Sequence, residues 1–459
     1  METVNLRRKR YISVMGNKRN YCFTIIITCV VTVILVSLDT NSSIRHDYIP
    51  QVIRTYYGRI YGGYREEDGN TLLTKNIKDS LGTHSTSMAG YTNSDTTHLL
   101  TDRSPDDDGE EISENLNSLN RTNPRIVDQS DIPELLKLLR PQIFEELPIT
   151  FLPEYKNPCY LRDNSTDLIC LPYALLLGLP KCGTTDLYRK MLSHPDIISI
   201  RKEVQWLARA SRRGSPLRHY GDKIFTPAIR RLIGKGRRKD QAITVDGSAS
   251  TYWDNEGWLA KYPKYFQKGP PYILADVIKA LLPDAKLMVI FREPASRLYS
   301  DYVFFNKLRN ISPENFHELV RTSIDEYKAC LTSRGSEYAC VYQSRPARLQ
   351  IGLYSLYTRD WLLRYPRQQF MFINLSNWHK GCRQILPEIY EFLGAEKLTE
   401  IEINAICMKS KSNTNAIMKD EAGPMLNETR SMLREFYRPY VIELADILHD
   451  NSFLWDYTR

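Results

Sequence analysis

Eighteen consecutive residues, LLLGLPKCGTTDLYRKML from Leu175 to Leu192, limit the fold more than any other stretch of the chain. The apolar run Ala174 to Leu177 reads as a strand buried on both faces. Gly178, Pro180 and Gly183 break it, and from Thr184 the residues Leu187, Met191 and Leu192 recur at helical spacing. A strand, a tight turn and a helix start leave backbone N–H groups unpaired. With Lys181 beside them and the hydroxyls of Thr184 and Thr185 following, the turn is a receptor for a phosphate. In a GxxxxGK[ST] loop the lysine follows the second glycine. Here Lys181 precedes Gly183, which argues against an ATP or GTP site of that kind.

A second buried strand is predicted at Ala285 to Phe291 (AKLMVIF), followed at once by REPASRLYSDY. Arg292 then stands at the carboxyl end of a strand, where ligands gather in open α/β sheets. Pro294 suits a first helical turn, and Ser300 lies two turns beyond Arg292. A guanidinium and a hydroxyl converging there can grip a phosphate by charge-assisted hydrogen bonds.

Between the two strands, Lys202-Glu203-Val204-Gln205-Trp206 follows the first helix by one return turn. That length can bring the Glu203 carboxylate back to the phosphate pocket as a proton acceptor. Local sequence equally allows Glu203 to pair with Arg201 or Lys202 on a surface. The stretch beyond is basic: Arg209, Arg212, Arg213 and Arg218, then Arg230, Arg231, Lys235, Arg237, Arg238 and Lys239. Such a run is a solvated face or an attractor of polyanions. A short strand with a hydroxyl-rich loop is expected in Thr244 to Trp253. Its aromatics Tyr252 and Trp253, with Trp258, belong to the core or stack on sugars. Helices are expected from Ile273 to Leu282 and, broken by Pro141, across Ile132 to Leu147.

The 459-residue chain begins with Arg7, Arg8, Lys9, Arg10, Lys18 and Arg19 against the single acid Glu2. An uncharged, mostly apolar run from Tyr21 to Leu38 follows, near the shortest length that spans a bilayer. The expectation is a single-pass type II anchor: residues 1–20 cytoplasmic, 21–38 in the membrane, the remainder lumenal. Residues 39–131 are polar, with an acidic run at Asp106 to Glu111, and are expected to form a disordered stem before a catalytic domain at 132–459. The net charge of +8 favours an acidic partner, and lumenal placement excludes nucleic acid. Sequons at Asn41, Asn120, Asn164, Asn310, Asn374 and Asn427 agree with that placement.

Of nine cysteines, seven lie in the lumenal part. Cys159 with Cys170 and Cys330 with Cys340 close short loops and are the favoured pairs, with Cys382 to Cys407 a third. Cys182 is then a free thiol, a small residue fitted into a tight turn. No His/Cys/Asp cluster at ligand spacing calls for a metal.

Lys181, Glu203, Arg292 and Ser300, with the RxPxxRxxSDY arrangement, resemble in order and spacing the Golgi carbohydrate sulfotransferases. These use 3′-phosphoadenosine 5′-phosphosulfate (PAPS). LGLPKCGTTDLYRKM and ETRSMLREFYRPY look most like the branch acting on N-acetylgalactosamine 4-sulfate at O6. The resemblance covers residues 140–459 and implies an α/β domain with a parallel, P-loop-like sheet. It implies that Lys181, Cys182, Gly183, Thr184 and Thr185 hold the 5′-phosphosulfate, that Arg292 and Ser300 hold the 3′-phosphate, and that Glu203 is the catalytic base. Lys202 and Trp206 are then near the acceptor, a sulfated glycosaminoglycan of the chondroitin or dermatan type. Heparan sulfate, or a glycan-binding protein that has lost catalysis, are the other readings. CMKSKSNTN (Cys407 to Asn415) resembles the later cofactor loop without its usual glycine, bringing in Lys411. GPMLNETRSMLREFYRPYVIELADIL, from Gly423, resembles the last amphipathic helices, with Leu433, Phe436, Tyr437, Val441, Leu444 and Leu448 inward.

Overall fold

The computed structural model describes residues 125–162, 165–198, 200–255, 269–306, 311–410 and 422–457. The expected anchor and nearly all of the stem, Trp258, Lys411 and the sequons at Asn41, Asn120, Asn164 and Asn310 lie outside the described residues. Among the described residues no helix is long and apolar enough to cross a membrane.

Regular structure is already present ahead of the expected boundary at Ile132. Arg125–Val127 (β1) pairs antiparallel with Ile149–Phe151 (β2). Three residues are too few to show a periodic pattern, so β1 has no signature in the sequence. Between the two strands the chain is helical at Glu134–Leu139 and Pro141–Phe144, broken where Pro141 starts a new turn. Cys159–Leu161 (β3) and Leu168–Cys170 (β4) form a hairpin in which Cys159 and Cys170 are directly opposed and disulfide-bonded.

The centre is a four-stranded parallel sheet of Ala174–Gly178 (β5), Val245–Asp246 (β6), Lys286–Phe291 (β7) and Phe370–Asn374 (β8), in the order β6-β5-β7-β8. All of β5 and five residues of β7 are buried, as befits uninterrupted apolar runs covered on both faces. Each such Leu, Ile or Val contributes about 1.5–3 kcal/mol by leaving water. The chain passes from β5 to β6 on one side, then returns across to β7 on the other. The carboxyl ends of β5 and β7 therefore flank the point where strand order reverses.

Helices follow the strands: Thr184–Met191 (α1) after β5, Leu274–Leu281 (α2) before β7, and Pro294–Phe305 (α3) after it. Pro313–Arg334 (α4) and Tyr354–Leu362 (α5) precede β8, and Cys382–Phe392 (α6) and Glu400–Cys407 (α7) come after it. The C-terminal element is a single helix, Asn427–Leu448 (α8), rather than several. Leu433, Tyr437, Val441, Leu444 and Leu448 are its buried face, with Phe436 partly buried beside them. Cys330 bonds Cys340 and Cys382 bonds Cys407, tying α4 to the following turn and α6 to α7. Of the described sequons, Asn427 is exposed, whereas the Asn374 side chain is buried. Asn374 donates to the Ser452 carbonyl at 2.7 Å and accepts from the Ser376 N–H at 2.8 Å, so the folded domain leaves no room for a glycan there.

Candidate active site

The turn leaving β5 is held from below. Leu179 N–H donates to the Ile290 carbonyl of β7 at 3.3 Å, and Cys182 N–H returns to Leu179 at 3.2 Å. Lys181 and Gly183 both adopt left-handed backbone, at φ 66° and 83°. At Gly183 a Cβ would also meet a Leu375 methyl at 2.4 Å, so the position requires glycine. The amides of Gly183, Thr184 and Thr185 have no backbone partner among the described residues. The expected donor set of Cys182 to Thr185 is thus one short, because the Cys182 amide is spent inside the turn. Its side chain is fully buried under the loop, 3.8 Å from the Tyr354 hydroxyl, and burial pushes its thiol pKa up. The Lys181 ammonium lies 3.7 Å over the Phe304 ring of α3, at the mouth of the loop.

Arg292 leaves the adjacent strand and meets this turn: its Nη1 donates to the Lys181 carbonyl at 3.3 Å. The Tyr354 hydroxyl donates to the Arg292 carbonyl at 2.9 Å. Burial lowers the guanidinium's pKa from its ordinary value. Glu293 then caps α3, accepting from Ala295 and Ser296 N–H at 2.9 and 2.7 Å, with Pro294 in the first turn. The motif splits between two faces. Arg297 and Asp301 are buried and face each other at 3.6 Å, while Arg292 and Ser300 line a cavity of about 530 Å³ with Ser296, Tyr299, Met425 and Arg430.

Arg430, in the first turn of α8, was not predicted from sequence. A signal was present, since no acidic residue stands three or four positions from it on the helix. Its side chain is exposed and makes no ion pair with a described residue. Two guanidinium groups and a hydroxyl around one cavity form a receptor for a multiply charged anion.

Glu203 approaches from the other side. Its backbone is left-handed (φ 61°), as is that of Gln205 (φ 58°). One carboxylate oxygen pairs with the Lys202 ammonium; the other accepts from the Gln205 side-chain amide and, at 3.2 Å, from the Ala249 N–H. The local pairing with Lys202 and the placement in the cleft are therefore both present. Gln205 is itself fixed: its N–H donates to the Ser248 hydroxyl at 2.8 Å and its carbonyl oxygen accepts from the Ser250 hydroxyl. Ser248 in turn donates to Asp246 at the end of β6 at 2.6 Å, and so does the Tyr220 hydroxyl. Burial raises the Asp246 carboxyl pKa against the pull of those two bonds. The Ser248 to Tyr252 loop lies on the end of β5: Tyr252 N–H donates to Leu177 at 3.0 Å, and a Cβ on Gly178 would sit 2.9 Å from the Ala249 carbonyl. Glu203 thus stands over the carboxyl end of the strand that feeds the phosphate loop.

Trp206, expected near the acceptor, packs into the interior. It is buried, stacks on Tyr220 at 4.6 Å between ring centroids, and donates its indole N–H to the Ser215 hydroxyl at 2.9 Å. The wide turn Trp206–Ala210 points the ring inward, so its role is packing. Tyr252 and Trp253 are likewise core. Among the described residues no group of His, Cys, Asp or Glu is arranged to hold a metal.

Three amides, two threonine side chains and a lysine stand on one side of the contact between Arg292 and the Lys181 turn, and Arg292, Ser300 and Arg430 line the cavity on the other. A family model described as "Sulfotransferase domain" matches residues 171–435. "Carbohydrate sulfotransferase 15" of Mus musculus is 31% identical over 395 residues, covering 71% of this chain and 70% of that protein. The Homo sapiens protein of the same name is 31% identical over 394 residues, with the same coverage. "Heparan sulfate glucosamine 3-O-sulfotransferase 3B1" of Homo sapiens is 26% identical over 302 residues, covering 62% and 65%. Among solved structures, a sulfotransferase from Alicyclobacillus acidocaldarius has a TM-score of 0.39 at 18% identity, covering 63% of this chain and 99% of that one.

Proposed function

The chain belongs to the sulfotransferase domain family, and on that premise we propose that it moves a sulfuryl group from PAPS to a hydroxyl of a glycosaminoglycan. The acceptor proposed is N-acetylgalactosamine 4-sulfate in chondroitin or dermatan sulfate, modified at O6. It is a PAPS-dependent carbohydrate O-sulfotransferase. The observation that carries this reading is the junction of Arg292 with the Lys181 turn. It brings the two anion receptors side by side, which supports their acting on one ligand, and Glu203 bonds Ala249 beside the same strand ends.

PAPS supplies an activated sulfuryl group when bound. The Gly183, Thr184 and Thr185 amides and the threonine hydroxyls hold its 5′-phosphate side, and Lys181 offers positive charge where the leaving oxygen becomes negative. Arg292, Ser300 and Arg430 hold the 3′-phosphate, which ATP lacks. Glu203 accepts the proton of the sugar hydroxyl as the new oxygen–sulfur bond forms and the bond to the 5′-phosphate oxygen breaks. Lys202, paired with Glu203, keeps that carboxylate oriented. The residue types around Glu203 support a base that is fixed before substrate arrives.

The N-terminal basic cluster and apolar run support a type II anchor in the Golgi membrane with the catalytic domain in the lumen. The test of the whole proposal is incubation with PAPS and chondroitin 4-sulfate, unsulfated chondroitin or heparan sulfate, followed by disaccharide analysis. The expected product is the 4,6-disulfated N-acetylgalactosamine unit from chondroitin 4-sulfate. Transfer to heparan sulfate alone moves the assignment to that polymer, and glycan binding without transfer to any chain overturns it.

A further inference from the structure

The basic stretch from Arg209 to Lys239 is not one continuous track for a polyanion. Arg209 and Arg212 face the buried carboxylate of Asp254 at 2.9 and 3.7 Å. Arg237 reaches Asp196 at 3.3 Å, and Arg238 pairs with Asp240. Lys239 lies 4.8 Å over the Tyr155 ring. These charges are committed to partners within the fold.

A different set is not. Arg201, Lys223 and Arg231 line one cavity of about 490 Å³, and the same cavity is lined by Glu203. All three cations are exposed, and none has a hydrogen bond or ion pair with a described residue. Val204 and Pro227 give the cavity an apolar wall. Among the described residues Glu203 is the only acid in the lining, and its charge is already matched by Lys202. Three positive charges therefore remain without counter-charge around the group that accepts the acceptor's proton. Cations gathered in a concave, partly apolar site raise the local concentration of an anion and fix its position.

We propose that Arg201, Lys223 and Arg231 form an acceptor-side subsite for an anionic substituent of the sugar chain, a sulfate ester or a uronate carboxylate. Holding that group orients the neighbouring hydroxyl toward Glu203 and makes the enzyme prefer chains already charged at that position. This rests on the functional reading above, and it narrows a run of basic residues to three side chains, one of which lies outside the run.

The test compares two double variants of equal charge change, K223Q/R231Q and K235Q/R238Q, the second on exposed residues away from the cavity. Initial rates are measured with PAPS and either chondroitin 4-sulfate or unsulfated chondroitin, together with calorimetric binding of 3′-phosphoadenosine 5′-phosphate. For K223Q/R231Q the acceptor KM rises about tenfold or more, as expected for lost charge-assisted bonds, while nucleotide affinity holds. For K235Q/R238Q it changes less than about twofold, as for rim charges screened by salt. A rise confined to the 4-sulfated chain identifies the sulfate as the bound group, and an equal rise on both chains identifies the uronate. Equal shifts in the two double variants, or none in either, overturn the subsite. Failure of the unaltered enzyme to sulfate any chain, with nucleotide binding intact, instead overturns the functional reading.

Discussion

The two parts of the candidate site are built differently. The part proposed to hold the nucleotide stands on regular structure: two adjacent buried strands, β5 and β7, each feeding a helix, with Arg292 and the Lys181 turn in direct contact. The part proposed to face the acceptor stands on irregular backbone. Glu203 and Gln205 are left-handed; the Gln205 side-chain oxygen accepts from Ser250, and the Gln205 N–H donates to Ser248, which donates in turn to Asp246. A strand end fixes an anion receptor through ladder hydrogen bonds that any apolar sequence supplies. A loop fixes a carboxylate only through particular side chains, and so can be altered for a new acceptor without disturbing the sheet.

The comparison predicts effects that separate by part. Replacing Glu203 by Gln keeps the side chain's size but removes the proposed proton acceptor and its ion pair with Lys202, so turnover should fall about 10²- to 10⁴-fold, with 3′-phosphoadenosine 5′-phosphate binding unchanged by calorimetry. Near-normal turnover would show that the base lies elsewhere. Arg292→Ala is the counterpart in the nucleotide part. Affinity for the 3′-phosphorylated nucleotide should weaken about 10- to 100-fold, while affinity for adenosine 5′-phosphosulfate barely moves. Equal loss for both nucleotides would mean that Arg292 supports the loop rather than the 3′-phosphate.

Smaller effects sharpen the contrast. Gln205→Ala leaves Glu203 with fewer restraints, and kcat should drop about three- to tenfold with nucleotide affinity and acceptor KM held, a split that mere destabilisation would not produce. If KM rises and kcat holds, Gln205 touches the acceptor instead. Trp206→Phe should leave the acceptor KM unchanged while lowering Tm by a few degrees, about what loss of one buried hydrogen bond predicts. A weakened acceptor KM would return Trp206 to the binding surface.

The same division explains what the sequence made legible. The Lys181 turn and the Arg292 to Ser300 stretch are each contiguous, so their chemistry shows in local order, and both strands read as buried because both are uninterrupted apolar runs. Strand β8, FMFIN, is as apolar but carries no motif beside it and went unpredicted. Glu203 was visible as a candidate, yet its support by Ala249 and Gln205 depends on two left-handed residues and a loop over forty positions away. Trp206 reads from sequence as a sugar platform, and only the inward turn of the backbone reveals its partner Tyr220. Arg430 joins the site through the packing of α8; local spacing records that it lacks an acidic neighbour but not which cavity it lines. The basic run does not show in sequence which of its charges are paired; Arg209, Arg212, Arg237 and Arg238 meet Asp254, Asp196 and Asp240.

Cys182 carries a further consequence. It is the one free cysteine among the described residues, in a domain whose other described cysteines are all joined in disulfides. In the oxidising lumen proposed for this domain an exposed thiolate there would attack those bonds or capture glutathione, and the mixed disulfide would obstruct the loop. Sealed beneath the loop, with its thiol pKa pushed up by burial, the sulfur is a poor nucleophile with no route to a partner. The turn proposed to seat the donor's phosphate thereby also shields its own weakest atom from redox chemistry.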